Sequence, residues 1–523
     1  MGREPIPLAP FPTMVVTVNI RRALAVAAGR LAGALSRRLG AGGGTAIPGL
    51  VATTLDPDLL PHLARQLPQG AILVTGTNGK TTTCRMIAGA LQAGGFAPLQ
   101  NRTGSNLLRG LATTLLSHAG PGGVLKAAEG SLGVFEVDEA VLPLAIPLMR
   151  PRTVLINNLF RDQLDRYGEV DTIRSLWEEA LASLPKDTTV VLNADDPAVA
   201  SLAASVRGPV LYFGIEDPRE GRQGPEHTAD FIHCQRCGRA YEYTTSFYAH
   251  LGHYRCPQCG AARPTPQVSA AQISFQGFNR TGFEVRTPQG CADVTLNLGG
   301  LYNIYNALGA TASALALGVP LPEVTGSLAR FSPVFGRMES LVIDGRTVCL
   351  ILVKNPTGFN QALRTLSQSL RPPTVLVVLN DRIADGQDVS WIWDVDFEGL
   401  RWEAVAESKG GEANLNAAAD QSLGAAQELL PQEPSLQQTP LPERPVLFVS
   451  GLRAEDMALR LKYAGLNVGP DSVVGPLKRA LDLALKATPE GETLCVLPTY
   501  TATLAVQHLL AQRGHLPHYW EHG

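Results

Sequence analysis

Charge is scarce in this chain. Asp, Glu, Lys and Arg together supply only 17% of its 523 residues, against about a quarter in typical soluble domains. So lean a surface hints that a partner covers part of it. The two signs nearly cancel, with 44 basic and 47 acidic side chains for a net charge of −3. That balance excludes the electrostatic footprint of a nucleic-acid-binding chain. Cysteine is also sparse: eight residues over this length cannot form a disulfide scaffold. No run of ~18 or more uncharged apolar residues occurs, so no transmembrane helix is expected. The apolar run Met14–Val18 is short and is soon followed by Arg21 and Arg22, unlike a clear secretory signal. The expected location is the cytoplasm. What is plentiful is apolar surface, 45% of residues, enough to bury a large core in two or three domains.

Residues 71–76 read as a buried strand and 80–94 as a helix. Further β-rich runs at 131–138, 153–157 and 188–192 alternate with helical patterns such as 171–184, which predicts a parallel α/β sheet. Residues 225–265 interrupt that pattern as an inserted module. Residues 267–297 alternate like β-strands, and helices are expected at 304–317 and 322–330. A second α/β unit starts near 340, with strands at 347–353, 374–379, 446–449 and 494–497. Residues 407–444, rich in Ala, Gln, Glu and Pro, read as a flexible surface insertion. Near the N-terminus, Arg21, Arg22, Arg30, Arg37 and Arg38 lie among Ala and Leu. They predict a basic amphipathic helix that either packs on its own domain or touches an anionic membrane surface.

Residues 74–82, VTGTNGKTT, carry a strand into a glycine-containing loop and a helix at Lys80. Loop N–H groups and a helix N-terminus together make an anion cradle. In it Gly76, Thr77, Asn78 and Gly79 would supply the backbone, Lys80 would reach the outer phosphates, and Thr81 or Thr82 would hold Mg²⁺. The generic nucleotide loop has glycine where this chain has Val74, so the match is to a variant of it.

Residues 234–259 hold two CxxCG knuckles, Cys234–Cys237 and Cys256–Cys259, each followed by glycine. Four thiolates at this spacing predict a closed, structural, tetrahedral zinc site in a ribbon. Zinc would fold an insert that has no core of its own. His233, His250 and His253 are expected to be bystanders.

The sequence TGTNGKTT resembles the ATP loop of the Mur ligases, and further pieces follow in that family's order. FEVDEA places Glu136 where the family has a Mg²⁺-binding glutamate. NADDP, with Asn193, Asp195 and Asp196, resembles its nucleotide-contact segment. LYNIYNALGA puts Asn303 and Asn306 at its adenine-side asparagine, and FGRME puts Arg337 at its ATP arginine. The resemblance implies that a carboxylate is activated as an acyl phosphate and then attacked by an amine. Two departures stand out: Gln163 replaces the histidine near the family's second metal, and residues 166–185 contain no lysine to carbamylate. Fewer than 80 residues precede the loop, so a UDP-binding N-terminal domain is not expected.

In the C-terminal part, LVKNPTGFNQ keeps Asn355 and Pro356 of a Mur-type strand end but loses its acidic and histidine character. Residues 380–398, NDRIADGQDVSWIWDVDFE, read as a strand end followed by a carboxylate-rich loop. Together with SGLRAEDMALRLKYAG at 450–465 and LPTYTATL at 497–504, they make the chain resemble the MurT family over nearly its whole length. That resemblance implies the ligase subunit of a heterodimer with a GatD-like glutaminase. The ligase binds ATP and Mg²⁺ and amidates the α-carboxylate of D-glutamate in the lipid II stem peptide, giving D-isoglutamine with ammonia from the partner. It implies that Asp388 completes the partner's Cys–His pair, orienting the histidine, with Asp385 and Asp394 as alternatives and contact near 380–398. Activity on lipid II implies a peripheral position at the inner face of the membrane.

The fold expected is therefore α/β. A basic N-terminal extension (1–44) precedes a Mur ligase-type ATPase domain (45–340) with the zinc ribbon inserted, and a Rossmann-like C-terminal domain (341–523) follows. Two other readings compete: a Mur or folylpolyglutamate-type ligase that adds an amino acid without a glutaminase, and a zinc-ribbon ATPase that binds nucleic acid. The altered KNP and DGQDVSWIWD segments weigh against the first, and the charge balance against the second.

Overall fold

The computed structural model describes residues 19–38, 46–101, 105–162, 170–277, 279–332, 337–367, 372–400 and 445–515. Gln163 and the 407–444 insertion lie outside these residues. Strands are numbered in chain order: β1 Ala71–Thr75, β2 Ala97–Gln100, β3 Ser131–Glu136, β4 Thr153–Ile156, β5 Thr189–Asn193, β6 Val210–Ile215, β7 Glu242–Tyr248, β8 Leu251–Arg255, β9 Val268–Phe275, β10 Thr281–Thr287, β11 Gly290–Leu296, β12 Arg337–Ile343, β13 Arg346–Ile351, β14 Thr374–Val378, β15 Leu447–Ser450 and β16 Thr493–Pro498.

The first domain is built on a nine-stranded sheet in the order β11-β10-β9-β6-β5-β4-β1-β3-β2. From β2 to β9 neighbouring strands are parallel, and β9, β10 and β11 form an antiparallel edge. β1 is buried along its whole length. Its side chains alternate between two cores, Ile72 and Val74 on one face and Ala71 and Leu73 on the other, as a strand covered by helices on both sides requires. The helix Lys80–Ala93 follows β1 on one face, while Trp177 from the helix Val170–Ala182 fills the other. Two strands of this sheet were not anticipated. β2 is a short, half-exposed edge strand holding Pro98, a residue that only an edge accommodates readily. β6 lies between β5 and β9 and carries the parallel sheet into its antiparallel edge.

The second domain has five strands in the order β12-β13-β16-β14-β15, parallel except for the β12–β13 hairpin. β12 begins at Arg337, so this sheet starts slightly earlier in the chain than residue 340. Val375 and Val377 of β14 face a core shared with the first domain, whereas Leu376 and Val378 face a separate one. The shared core joins Phe359 and Leu363 of the second domain to Leu301 and Tyr305 of the first.

The cysteine insert is not peripheral. Its hairpin β7–β8 drives Phe247, Tyr248, His250 and Leu251 into the interior, all at most 2% exposed. Tyr248 packs edge-on against Tyr305, and His250 lies between Phe160 and Phe231. Arg364, on the second domain's helix Pro356–Leu366, donates to the carbonyls of Phe247 and Glu220. The insert is thus wedged where the two domains meet.

The N-terminal helices show how close the packing is. A Cβ on Gly49 would fall 1.9 Å from the carbonyl oxygen of Arg109. Gly49→Ala is expected to force the helices Ile47–Leu55 and Leu108–His118 apart, at about 1–3 kcal/mol or more. Urea or thermal unfolding checks this, and an unchanged midpoint would contradict the packing described.

Candidate active site and cysteine cluster

The loop after β1 is shaped by two glycines with positive φ, Gly76 at 131° and Gly79 at 85°. A Cβ on Gly79 would lie 2.0 Å from Asn306 Oδ1, so only glycine fits between the loop and the helix Leu301–Ala316. The first intrahelical bond runs from Thr83 N to Gly79 O at 2.9 Å. The N–H groups of Lys80, Thr81 and Thr82 therefore precede the helical ladder and are free to meet an anion. The loop is pinned from outside by the end of β4. Thr77 N donates to Asn158 O at 3.1 Å, Asn78 N to Asn158 Oδ1 at 2.9 Å, and Asn158 Nδ2 returns a bond to Asn78 O at 3.2 Å. Thr77 Oγ1 accepts from Phe160 N at 2.9 Å and lies 3.1 Å from Phe160 O.

Lys80 is buried, and its Nζ donates to Gly76 O at 2.7 Å, Thr77 O at 3.3 Å and Glu139 Oε2 at 2.9 Å. Burial alone would lower its pKa, but Glu139, Glu136 and Asp138 outweigh burial and raise it. For Glu139 burial dominates and raises the carboxyl, against the lowering charges of Lys80 and Lys354. Thr81 Oγ1 donates to Glu136 Oε2 at 2.5 Å. Three carboxyl groups, all at most 7% exposed, thus crowd one buried ammonium. A hydroxyl and carboxylates gathered beside an anion cradle suit a hard divalent cation.

The expected site residues do not all play the part assigned to them. Gly76 through Thr82, Lys80 and Glu136 come together at one loop, and Asn306 joins them through Thr83 Oγ1 at 3.1 Å. Asn193 stands behind the loop, donating to Asn157 O at 3.0 Å. Asp195 is a correction. It is fully buried and accepts from Ile215 N at 2.8 Å, Tyr305 OH at 2.6 Å and Arg263 Nε, so no face of its carboxylate is left for a nucleotide. Burial would lower the Arg263 guanidinium, but Asp195 and Glu216 raise it. Asp196 caps the helix Pro197–Ser201 and also accepts from Leu159 N at 2.9 Å. The side chain of Arg337 lies outside the described residues.

Two groups of residues escaped the sequence reading. Asn157 and Asn158 directly follow β4 beside β1; their signal was paired amides at the carboxyl end of a central parallel strand, where such sheets bind ligands. Lys354, just after β13, reaches across from the second domain. It pairs with Asp162 and donates to Thr77 O at 3.1 Å, the carbonyl that Lys80 also approaches. Its neighbour Asn355 donates to Asn78 Oδ1 at 3.2 Å. The KNP segment therefore clasps the loop.

Farther along the second domain, the three candidate aspartates separate cleanly. Asp385 is buried and accepts from Thr501 N at 2.7 Å and Thr501 Oγ1 at 2.5 Å. Asp394 is exposed and lies 4.0 Å from Arg161. Asp388 is exposed and accepts from Ser390 N at 2.8 Å, a bond that lowers its pKa and keeps it ionised. Ile383, Trp393, Leu452, Leu459 and Tyr463 are also exposed on this domain, with Trp393 stacked edge-on against Tyr463. Trp391 is instead half-buried against Phe359.

In the ribbon, the sulfurs of Cys234, Cys237, Cys256 and Cys259 all lie within 4.8 Å of one another. Zn–S bonds of about 2.3 Å would put tetrahedral sulfurs roughly 3.8 Å apart, so the cluster fits zinc. Each knuckle closes on a bond from Gly238 N to Cys234 O at 2.8 Å or from Gly260 N to Cys256 O at 3.1 Å, with both glycines at φ 73°. Burial would raise Cys234, but the N–H groups of Arg236 and Cys237 outweigh it and lower the thiol to about 6. His253 Nε2 donates to Ile215 O at 2.8 Å, and His250 is buried. Neither stands among the four sulfur ligands.

Comparison with known proteins agrees with this architecture. Residues 74–248 match the Mur ligase middle domain, and residues 352–412 and 435–503 match the MurT ligase C-terminal domain. The chain is 30% identical over 496 residues to a Streptococcus pneumoniae protein named lipid II isoglutaminyl synthase (glutamine-hydrolyzing) subunit MurT, covering 95% of this chain and 98% of that one. It is 28% identical over 450 residues to the Staphylococcus aureus protein of the same name, covering 86% and 89%. Among solved structures, a pseudomurein peptide ligase type C from Methanothermus fervidus superposes with a TM-score of 0.58 at 19% identity, covering 86% of this chain and 79% of that one. MurF ligase from Thermotoga maritima, solved in complex with ADP, gives 0.55 at 14% identity, covering 86% and 81%.

Removing the metal tests the cysteine cluster. Stripping the purified chain with a strong chelator is expected to release one zinc and lower the melting temperature by about 5 °C or more, because the hairpin is part of the core. Cys237→Ser should bind zinc far more weakly; retained metal and full stability would refute the assignment.

Proposed function

Since this chain belongs to the MurT family, we propose that it is the ATP-using ligase subunit of a two-chain amidating enzyme acting on lipid II. Its substrate is the α-carboxylate of D-glutamate in the stem peptide, and its product is D-isoglutamine. The Mur ligase family uses ATP and Mg²⁺. The observation that carries the reading is the pairing of two features in one chain: a loop site clasped by both domains, and an ionised, exposed Asp388 on a domain that also displays apolar groups.

In this reading Gly76–Gly79 and the N–H groups at the start of the following helix cradle the ATP phosphates, with Lys80 on the outer ones. Thr81 and Glu136 would hold Mg²⁺, which when bound would supply positive charge to the phosphate oxygens. Lys354 approaches the same phosphates from the second domain, exchanging Asp162 and the Thr77 carbonyl for the transferring group. The γ-phosphoryl forms a bond to a carboxylate oxygen as its bond to ADP breaks. Ammonia then attacks the carbonyl carbon, the C–O bond to phosphate breaks, phosphate leaves with the electron pair, and nitrogen gives up a proton. Asp388 orients the histidine of a glutaminase partner that supplies the ammonia, and the surface around 380–398 receives that partner. The lipid-linked substrate places the complex at the inner face of the membrane. Among the described residues, no helix is long and apolar enough to cross it.

The test is to supply the chain, a GatD-like glutaminase, ATP, Mg²⁺, lipid II and glutamine, and to look for a one-amide mass change on the stem peptide. Its absence would overturn the reading. Addition of an amino acid without the glutaminase would favour a single-chain ligase instead.

Three substitutions separate the roles. Lys80→Ala is expected to abolish amidation from glutamine and from ammonium salts alike. With Asp388→Asn, glutamine-supported amidation should fall by about 10³-fold or more while ammonium-supported amidation persists. For Lys354→Met, both nitrogen sources should lose about 10²-fold, the scale of a lost electrostatic stabiliser, with ATP affinity little changed. Equal loss from both sources in Asp388→Asn would refute its partner role.

A further inference from the structure

The helix Ile20–Arg38 has two faces of different kind. Its inner face holds Ala25, Val26 and Ser36, all buried. It sits so close to its neighbours that a Cβ on Gly29 would fall 2.7 Å from Leu116 and 2.9 Å from Ala52. Packing within the domain is therefore complete on that side. The outer face carries Ile20, Leu24, Leu31 and Leu35, between 49% and 75% exposed. At ~100° per residue, these four positions fall within a ~60° arc on the side opposite the buried face. The adjoining helix Ile47–Leu55 adds Ile47, Leu50 and Leu55, between 39% and 49% exposed.

Charge within this stretch has one sign. Residues 19–55 include five arginines and no Asp or Glu. Arg22 pairs with Asp56 at 3.1 Å. Arg21 and Arg30 flank the stripe and donate to neutral carbonyls, Leu55 O at 2.7 Å and Ala119 O, so their charge is not cancelled by these bonds. Arg38 is exposed at the helix end. A contiguous apolar stripe with cationic flanks is the pattern of a helix lying in a bilayer interface.

We propose that this outer face is a docking surface for an anionic lipid bilayer. The leucines enter the boundary between headgroups and acyl chains, and Arg21, Arg30 and Arg38 meet lipid phosphates. Charge complementarity selects an anionic lipid surface over an apolar peptide partner. The inference names the surface behind the peripheral position proposed above but rests on this helix alone. Its test reads lipid binding without catalysis, so either idea can fail without the other.

The test uses the full-length chain and sedimentation with vesicles of phosphatidylcholine alone or of equal parts phosphatidylcholine and phosphatidylglycerol. The chain is expected to sediment with the anionic vesicles, weakly with the neutral ones, and less in about 0.5 M salt, where charges are screened. Leu24→Gln with Leu31→Gln should lower binding about a hundredfold while leaving the melting temperature unchanged, because both side chains are exposed. No binding to anionic vesicles, equal binding to neutral ones, or unaltered binding by the double variant would each overturn the proposal. So would loss of binding on deletion of residues 1–18 alone, which would place the anchor there. A double variant that loses a protein complex and keeps its lipid binding would assign the stripe to protein instead.

Discussion

The site depends on one buried ammonium. Lys80 holds the loop carbonyls of Gly76 and Thr77 on one side and Glu139 on the other, with Glu136 and Asp138 close by. The carboxyl ends of β1 and β3 gather these charges in a largely buried place. Removing the cation would leave buried carboxyl groups without a counter-charge, which costs far more than an exposed pair would. The same pairing braces the loop, because Lys80 binds its carbonyls while Asn158 binds the N–H and carbonyl of Asn78.

The second domain completes this arrangement rather than merely following it in the chain. Lys354 and Asn355 bind the loop itself, and Arg364 grips the backbone of the ribbon hairpin. The hairpin fills the shared core with Phe247 and Tyr248, and its backbone meets the segment after β5 through Gly252 N and Asp195 O at 2.9 Å. The cysteine cluster therefore acts at a distance. It fixes a hairpin whose other end supports Asp195, Tyr305 and the helix that presses Asn306 against Gly79.

Much of this was legible in residue order. Strand periodicity located β1, β3, β4 and β5 within a residue or two at their ends, because a strand buried on both faces leaves a continuous apolar run. The glycine–lysine loop and the two CxxCG knuckles were legible because each needs specific residue types at fixed spacing. Asp195 misled, since an aspartate in NADDP looks the same whether it faces a ligand or an arginine 68 positions away in sequence. β2 was missed because a short edge strand with proline carries almost no period-two signal.

The sequence by itself determined which groups are present: a glycine–lysine loop, a set of carboxylates, four clustered cysteine thiols and an aspartate-rich loop after a strand. Local spacing carries that information, since a turn or knuckle is set by neighbouring backbone and its glycines. Only the tertiary structure decided which of these groups share a site. Lys354 reaches Thr77 from 277 positions away, and Asn158, just after β4, reaches Asn78 from 80. It also decided which aspartate faces outward, because Asp385 is consumed by Thr501 while Asp388 keeps its exposure. Charge and hydrogen-bond demand are satisfied through space, and a partner distant in sequence leaves no mark on the residues beside it.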